Sequence, residues 1–225
     1  MIDVTIQATP LLTIATPASQ TTAPVAYSTN DINKHFIDIA FSPDYSNIRK
    51  WDKPSVTVAI TGSYTDNDVN LLNDFFKTFN ASTSSTQLSP EIKKGEKGDI
   101  VLNFLPESSM KNINTDDSAK ISKDANGDII FIYNPSSTQS DETIYLNSDL
   151  KGDTRTHWVL RSLLYELGFP GETGSYPDSI FYSDTSTVTS LSKIDLKAVA
   201  LMYGSKMKSG MTLTDVKQLL LINNQ

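Results

Sequence analysis

The segment from His157 to Gly171, HWVLRSLLYELGFPG, sets His157, Arg161, Tyr165 and Gly168 at three- and four-residue steps. On a helix those steps stack side chains one turn apart on one face. Lone-pair donors stacked this way could hold a metal ion. A guanidinium has no lone pair to give, so Arg161 cannot ligate zinc. Tyr165 alone cannot supply the three or four ligands that zinc takes. Ser162, next to Arg161, offers no carboxylate to act as general base for a metal-bound water. His157 gives H-x-x-x-R with Arg161, and the only other histidine, His35, is far away in sequence, so both read as surface or hydrogen-bonded structural residues. Leu160, Leu163, Leu164 and Leu167 form the adjoining apolar stripe, and Glu166 falls on the opposite polar side as a solvated or salt-bridged residue.

The same segment resembles the active-site helix of the zincin metallopeptidases with its metal ligands removed. The zincin pattern H-E-x-x-H-x-x-G-x-x-H pairs two imidazoles one turn apart with a carboxylate and a helix-ending glycine. Aligned on Gly168, Arg161 and Ser162 fall on the His-Glu pair, Tyr165 on the second histidine and Gly171 on the third. Downstream, Pro177 to Asp184 (PDSIFYSD) and Leu191 to Gly204 (LSKIDLKAVALMYG) are similar to the second half of the matrixin-type metzincins. There a Ser-Ile-Met-Tyr turn underlies the metal, and a Leu-Ser-x-x-Asp helix packs behind it. Phe181 stands at the methionine of that turn, and Met202 replaces the leucine of the final Leu-Tyr-Gly.

A closer resemblance is to an uncharacterised zincin-like family, the domain of unknown function DUF2927. It rests on Phe36 to Phe41 (FIDIAF), Lys50-Trp51, the Pro-Asp-Ser-Ile-Phe-Tyr segment and Gly210-Met211-Thr212, and covers roughly Asn30 to Leu220. These likenesses imply an α+β, zincin-like fold. Its mixed sheet would have a β-α-β crossover and a central helix of the active-site type, followed by a small, mostly helical C-terminal subdomain. They imply vestigial metal positions at Arg161, Ser162, Tyr165 and Gly171, and a cleft lined by His157, Gly168, Phe181 and Tyr182. Phe181 and Tyr182 are expected to pack under the helix. No catalytic residue, metal or cofactor is expected.

The local patterns supply the elements this requires. Thr29 or Asn30 caps a helix carrying Ile32, Phe36 and Ile39. Ser55 to Thr61 is a strand ended by Gly62, and Thr65 or Asp66 caps a helix bearing Val69, Leu72, Phe75, Phe76 and Phe79. The stretch ASTSSTQLSP reads as a polar loop, and Asp99 to Leu105 as the next strand, joined by a right-handed crossover. Ala119 to Lys123 and Asp128 to Tyr133 flank Asn126-Gly127, a hairpin signal. Its D-x-N-G-D fragment resembles a calcium loop, but Pro135 stands where the bidentate glutamate would be needed, so the hairpin is preferred. Thr143 to Asn147 is a strand. Asp153 or Thr154 starts the central helix, which Gly168 and Pro170 stop. Leu213 to Ile222 closes the sequence as a helix capped by Thr212 or Thr214.

Composition bounds the function. The chain of 225 residues has 19 Lys and Arg against 26 Asp and Glu, a net charge of −7. Without a basic stripe it is not read as a nucleic-acid binder. It has no cysteine, which removes disulfides, thiolate nucleophiles and cysteine-bound zinc. No G-x-S-x-G elbow marks a serine hydrolase. Residues 1–28, rich in Thr, Ala and Pro, read as a flexible tail or stalk before one domain at 29–225, with subdomains 29–170 and 171–225. A stalk at the N-terminus suggests a signal or membrane anchor further upstream. Abundant Ser, Thr and Asn, with an Asn80-Ala81-Ser82 sequon, fit an exported protein. The expectation is a pseudo-metallopeptidase outside the cytoplasm, secreted or membrane-anchored, that serves binding or surface structure through a protein or envelope partner. The alternative is a hydrolase using unorthodox metal ligands in the same cleft. Arg161 is expected to pair with Asp178, Asp184 or Asp195, as a structural ion pair first and an anion site second.

Overall fold

The computed structural model describes residues 26–83, 86–88, 93–94, 98–115, 119–134, 142–184 and 187–222. In sequence order they form α1 (Thr29–Ala40), β1 (Ser55–Val56), β2 (Val58–Gly62), α2 (Asp66–Ser82), β3 (Gln87–Leu88), β4 (Lys93–Lys94) and β5 (Ile100–Leu105). Then follow α3 (Glu107–Met110), β6 (Lys120–Lys123), β7 (Ile129–Asn134), β8 (Glu142–Asn147), α4 (Gly152–Glu166), α5 (Lys193–Met202) and α6 (Leu213–Ile222). Residues 1–25, most of the expected tail, lie outside the described residues, as does Pro135.

Helix starts follow one local rule. Ser28, Thr65 and Ser192 each accept from the backbone N–H three residues on, and Asp31, Asp68 and Asp195 reach back to the cap residue's own N–H. Thr212 and Asp215 repeat the arrangement before α6. This reciprocal box satisfies two orphan donors at each helix end. The expected starts therefore hold to within a residue or two. The central helix differs: it begins at Gly152 after Lys151, two residues before Thr154, and no side chain caps it.

The sheet runs β4-β2-β5-β8-β7-β6. β4, β2, β5 and β8 are parallel, while β7 is antiparallel to β8 and β6 to β7. The architecture is α+β with a mixed sheet, and β2-α2-β5 is the expected parallel connection. Alternation along β5 decides what each face meets. Ile100, Leu102 and Phe104 are buried with Leu72, Phe76 and Phe79 of α2 and with Leu160, Leu163 and Leu164 of α4. On the other face Leu105 and Tyr145 meet a smaller cluster of Met110, Ile129 and Ile132.

Two local expectations change. Ala81 and Ser82 continue α2, and β3 pairs with β1, so the polar stretch is not wholly loop. Asn80, the sequon residue, donates to Leu88 O at 2.8 Å and accepts from Leu88 N at 2.7 Å. Its amide closes the helix-to-strand turn instead of standing free in a loop. In the β6–β7 hairpin, Asp124 Oδ1 accepts from the N–H groups of Asn126 and Asp128, both at 2.9 Å. That carboxylate serves its own turn, as the hairpin reading requires.

Candidate functional site

Everything that shapes the site converges on the C-terminal end of α4. The helix ends in a Schellman arrangement, with Phe169 N–H on Leu164 O at 3.0 Å and Gly168 N–H on Tyr165 O at 3.1 Å. Gly168 takes φ +94°, and a Cβ there would stand 1.7 Å from Arg49 O. The strap between α1 and β1 thus crosses directly over the helix end. Trp51 Nε1–H caps Glu166 O at 3.0 Å, and the Tyr203 hydroxyl caps Leu167 O at 2.9 Å. Further along, Ile48 N–H bonds Met211 O at 2.8 Å, and Lys50 Nζ bonds Met207 O at 3.1 Å. Glu166 is 4 % exposed under this strap, which removes the solvated half of its expected role.

Arg161 is 7 % exposed. Its guanidinium donates to Phe169 O at 3.4 Å and Gly171 O at 3.3 Å, and lies 4.7 Å from the centre of the Phe181 ring. Burial pushes its pKa down to about 10, against the pull of Glu172 and Asp195. No carboxylate among the described residues comes within ion-pair distance of it, so the expected ion pair is not formed. The reason is that each aspartate is engaged or turned away. Asp195 serves four other donors, Asp178 accepts from the Tyr27 hydroxyl, and Asp184 is exposed beside Ser183.

The other positions that the resemblance aligns with metal ligands are equally unlike ligands. Ser162 is fully buried and donates to Val159 O of its own helix at 3.0 Å. Tyr165 packs among Tyr45, Phe131 and Tyr133, with ring centroids 5.3 to 6.2 Å away. Burial there raises the phenol's pKa, keeping it protonated where metal binding would need phenolate. Gly171 crosses α1 so closely that a Cβ would meet Asp38 O at 2.2 Å and Phe41 O at 2.3 Å, so no ligating side chain fits. The donor set therefore does not fit zinc. Among the described residues no group of three or more His, Cys, Asp or Glu side chains is placed to hold a metal.

The expected cleft lining is redrawn. A pocket of about 90 Å³ opens beside α4, walled by Phe131, Trp158, Arg161, Tyr165, Pro170 and Glu172. His157 is absent from it. Its Nδ1 lies 2.8 Å from Val188 O, a group that only accepts, so Nδ1 carries the proton and the ring is turned toward that loop. Burial, then the carbonyl's opposing pull, leaves its pKa below the usual imidazole value. Gly168 lies under the strap, Phe181 lies beneath Arg161, and Tyr182 is only half-buried next to Asp184. Phe131, Trp158 and Glu172 were not singled out from the sequence, and Pro170 was named only as a stop of the central helix.

A second polar cluster, fully buried, went unrecognised because its members are far apart in sequence. Asp195 Oδ1 accepts from His35 Nε2 at 2.7 Å and Ser179 Oγ at 2.6 Å, while Oδ2 accepts from Ile180 N at 3.1 Å and Ser192 N at 2.8 Å. Serine, histidine and aspartate are thus together, but in the wrong order for hydrolysis. A nucleophilic serine donates to the histidine, whereas Ser179 donates to the aspartate and His35 Nδ1 has no partner. The cluster ties α1, the Ser-Ile-Phe-Tyr turn and α5 together. The capping box in Leu191-Ser192-Lys193-Ile194-Asp195 was its one legible sign.

Comparison with known proteins places the chain. A family model described as "Protein of unknown function (DUF2927)" matches residues 29–221. The chain belongs to that family. A search of curated proteins gives no match. Two solved structures of myroilysin are similar at 12 % identity. One has a TM-score of 0.42 and covers 70 % of this chain and 97 % of its own, and the other scores 0.41 with 81 % and 99 %.

Proposed function

We propose that this protein is a non-catalytic, zincin-like binding domain displayed outside the cytoplasm. The observation that carries the reading is Arg161, whose guanidinium is buried over the Phe181 ring and held by the carbonyls of Phe169 and Gly171. The zincin resemblance puts a metal-binding histidine at Arg161 and the underlying methionine turn at Phe181. Both changes suit a cation fixed by the protein itself, since an aromatic face attracts a guanidinium. The general-base position is Ser162, bonded into its own helix, so the site offers no group to activate water there. A fold alone does not carry an activity, and what the fold leaves beside α4 is a small, aromatic-walled pocket suited to recognition.

A peptidase assay tests the catalytic half of this reading. The purified protein, supplied with zinc and an unfolded protein substrate, should cleave no faster than a heat-inactivated control. Cleavage abolished by a chelator would overturn the reading. Display outside the cytoplasm is supported by the Thr-, Ala- and Pro-rich composition of residues 1–28. Labelling intact source cells with a membrane-impermeant amine reagent should modify its lysines, and complete protection would count against it.

A further inference from the structure

Arg161 is a buried cation with no carboxylate partner among the described residues. A guanidinium presents five N–H donors in a planar fork. Here two contacts are seen, both long, to the carbonyls of Phe169 and Gly171 at 3.4 and 3.3 Å. Burying a charge is unfavourable unless a counter-charge and further hydrogen bonds compensate it. The nearest acids do not serve. Asp195 has all its acceptor positions filled by His35, Ser179, Ile180 and Ser192. Glu172 is exposed at the rim of the pocket that Arg161 lines.

That pocket is about 90 Å³, several times the roughly 10–15 Å³ that a cavity needs to hold one water. It has room for a carboxylate head on a short stem. Phe131, Trp158 and Pro170 wall it with apolar surface, which suits the stem. One buried cation and one rim carboxylate line the same pocket, a balance that matches a monoanion better than a phosphate dianion. We propose that the Arg161 pocket binds a carboxylate presented by a peptide or protein partner, either its C-terminal carboxylate or an Asp or Glu side chain. Glu172 competes with it for the guanidinium from the rim. Bidentate guanidinium–carboxylate pairing supplies the specificity. This rests on the metal-free reading of the cleft given above.

The test uses the full-length protein, ¹⁵N-labelled and titrated with sodium acetate against sodium chloride at matched ionic strength. The readout is the indole N–H of Trp158, one of only two tryptophans, assigned by its loss in Trp158→Phe. The expected result is a saturable shift in the millimolar range. Arg161→Gln should weaken binding by about tenfold or more, and Glu172→Gln should tighten it by roughly threefold. If Arg161→Gln fails to fold, Arg161→Lys keeps the charge, loses the fork and should still bind several-fold more weakly. N-acetylalanine and N-acetylaspartate amide then separate a C-terminal source from a side-chain source, and saturation by either supports the proposal. A linear shift, a shift unchanged by the Arg161 variants, or weaker binding in Glu172→Gln would overturn it. Tightly held zinc would remove the underlying reading. An acetate failure without zinc would remove this proposal alone.

Discussion

Asp195→Ala should destabilise the protein by about 3–5 kcal/mol, the cost typical of removing one partner from a buried charged network. The carboxylate is fully buried and accepts four hydrogen bonds, from His35, Ser179, Ile180 and Ser192. Its loss orphans a buried imidazole N–H, a buried hydroxyl and two backbone N–H groups. It also opens the capping box of α5 and releases the turn carrying Phe181 beneath Arg161. A loss of this size is a large share of the roughly 5–15 kcal/mol that holds a domain folded. Urea unfolding measures it, with the exposed Asp184→Ala as a control expected within about 0.5 kcal/mol of the parent. If Asp195→Ala cost no more than Asp184→Ala, the cluster would not be the anchor described.

The second large effect belongs to Gly168→Ala, expected to cost about 3 kcal/mol or more. Two terms add. At φ +94° any L side chain is strained, and the new methyl would lie 1.7 Å from Arg49 O, so the strap must lift. Gly127→Ala separates these terms, because Gly127 has φ +88° and nothing within 4 Å of the added carbon. That variant should show the conformational term alone, about 1–2 kcal/mol. Thermal or urea unfolding of the pair gives the steric share by difference. Equal losses would mean the strap does not press on the helix end.

The sequence made the elements legible where the rule is local. Thr65 and Thr212 were among the residues expected to cap their helices, the first helix was expected to be capped at Thr29 or Asn30 and is capped one residue earlier by Ser28, and Asn126-Gly127 marked the hairpin. It was weaker where a residue's role depends on a distant segment. His35 looked isolated because nothing in the spacing of residues 35 and 195 shows that α1 and α5 pack together. Glu166 was read as solvated or salt-bridged, and helical periodicity alone could not show that the Arg49–Trp51 strap covers it. Arg161 was placed on the right helix but given a carboxylate partner, and instead meets carbonyls of residues just past the helix end. Gly171 was aligned with a ligand position, while its lack of a side chain is what lets α1 cross there.

These placements give the family signature a physical meaning. Phe36 and Ile39 are core positions of α1, Trp51 caps the central helix, and Ser179 and Phe181 stand on Asp195 and under Arg161. Met211 and Thr212 hold the strap through Ile48 and Asn47. Of these residues Trp51 holds the end of α4, while Ser179 ties the turn carrying Phe181 to α5 through Asp195.

Beside α4 the buried cation is Arg161, and among the described residues no set of side chains is placed to hold zinc. Elemental analysis tests this most directly, on protein purified from zinc-supplemented culture and dialysed against metal-free buffer. Zinc should stand far below one ion per molecule, with unfolding unchanged by added zinc or chelator. One zinc per molecule that resists dialysis and stabilises the fold would contradict it.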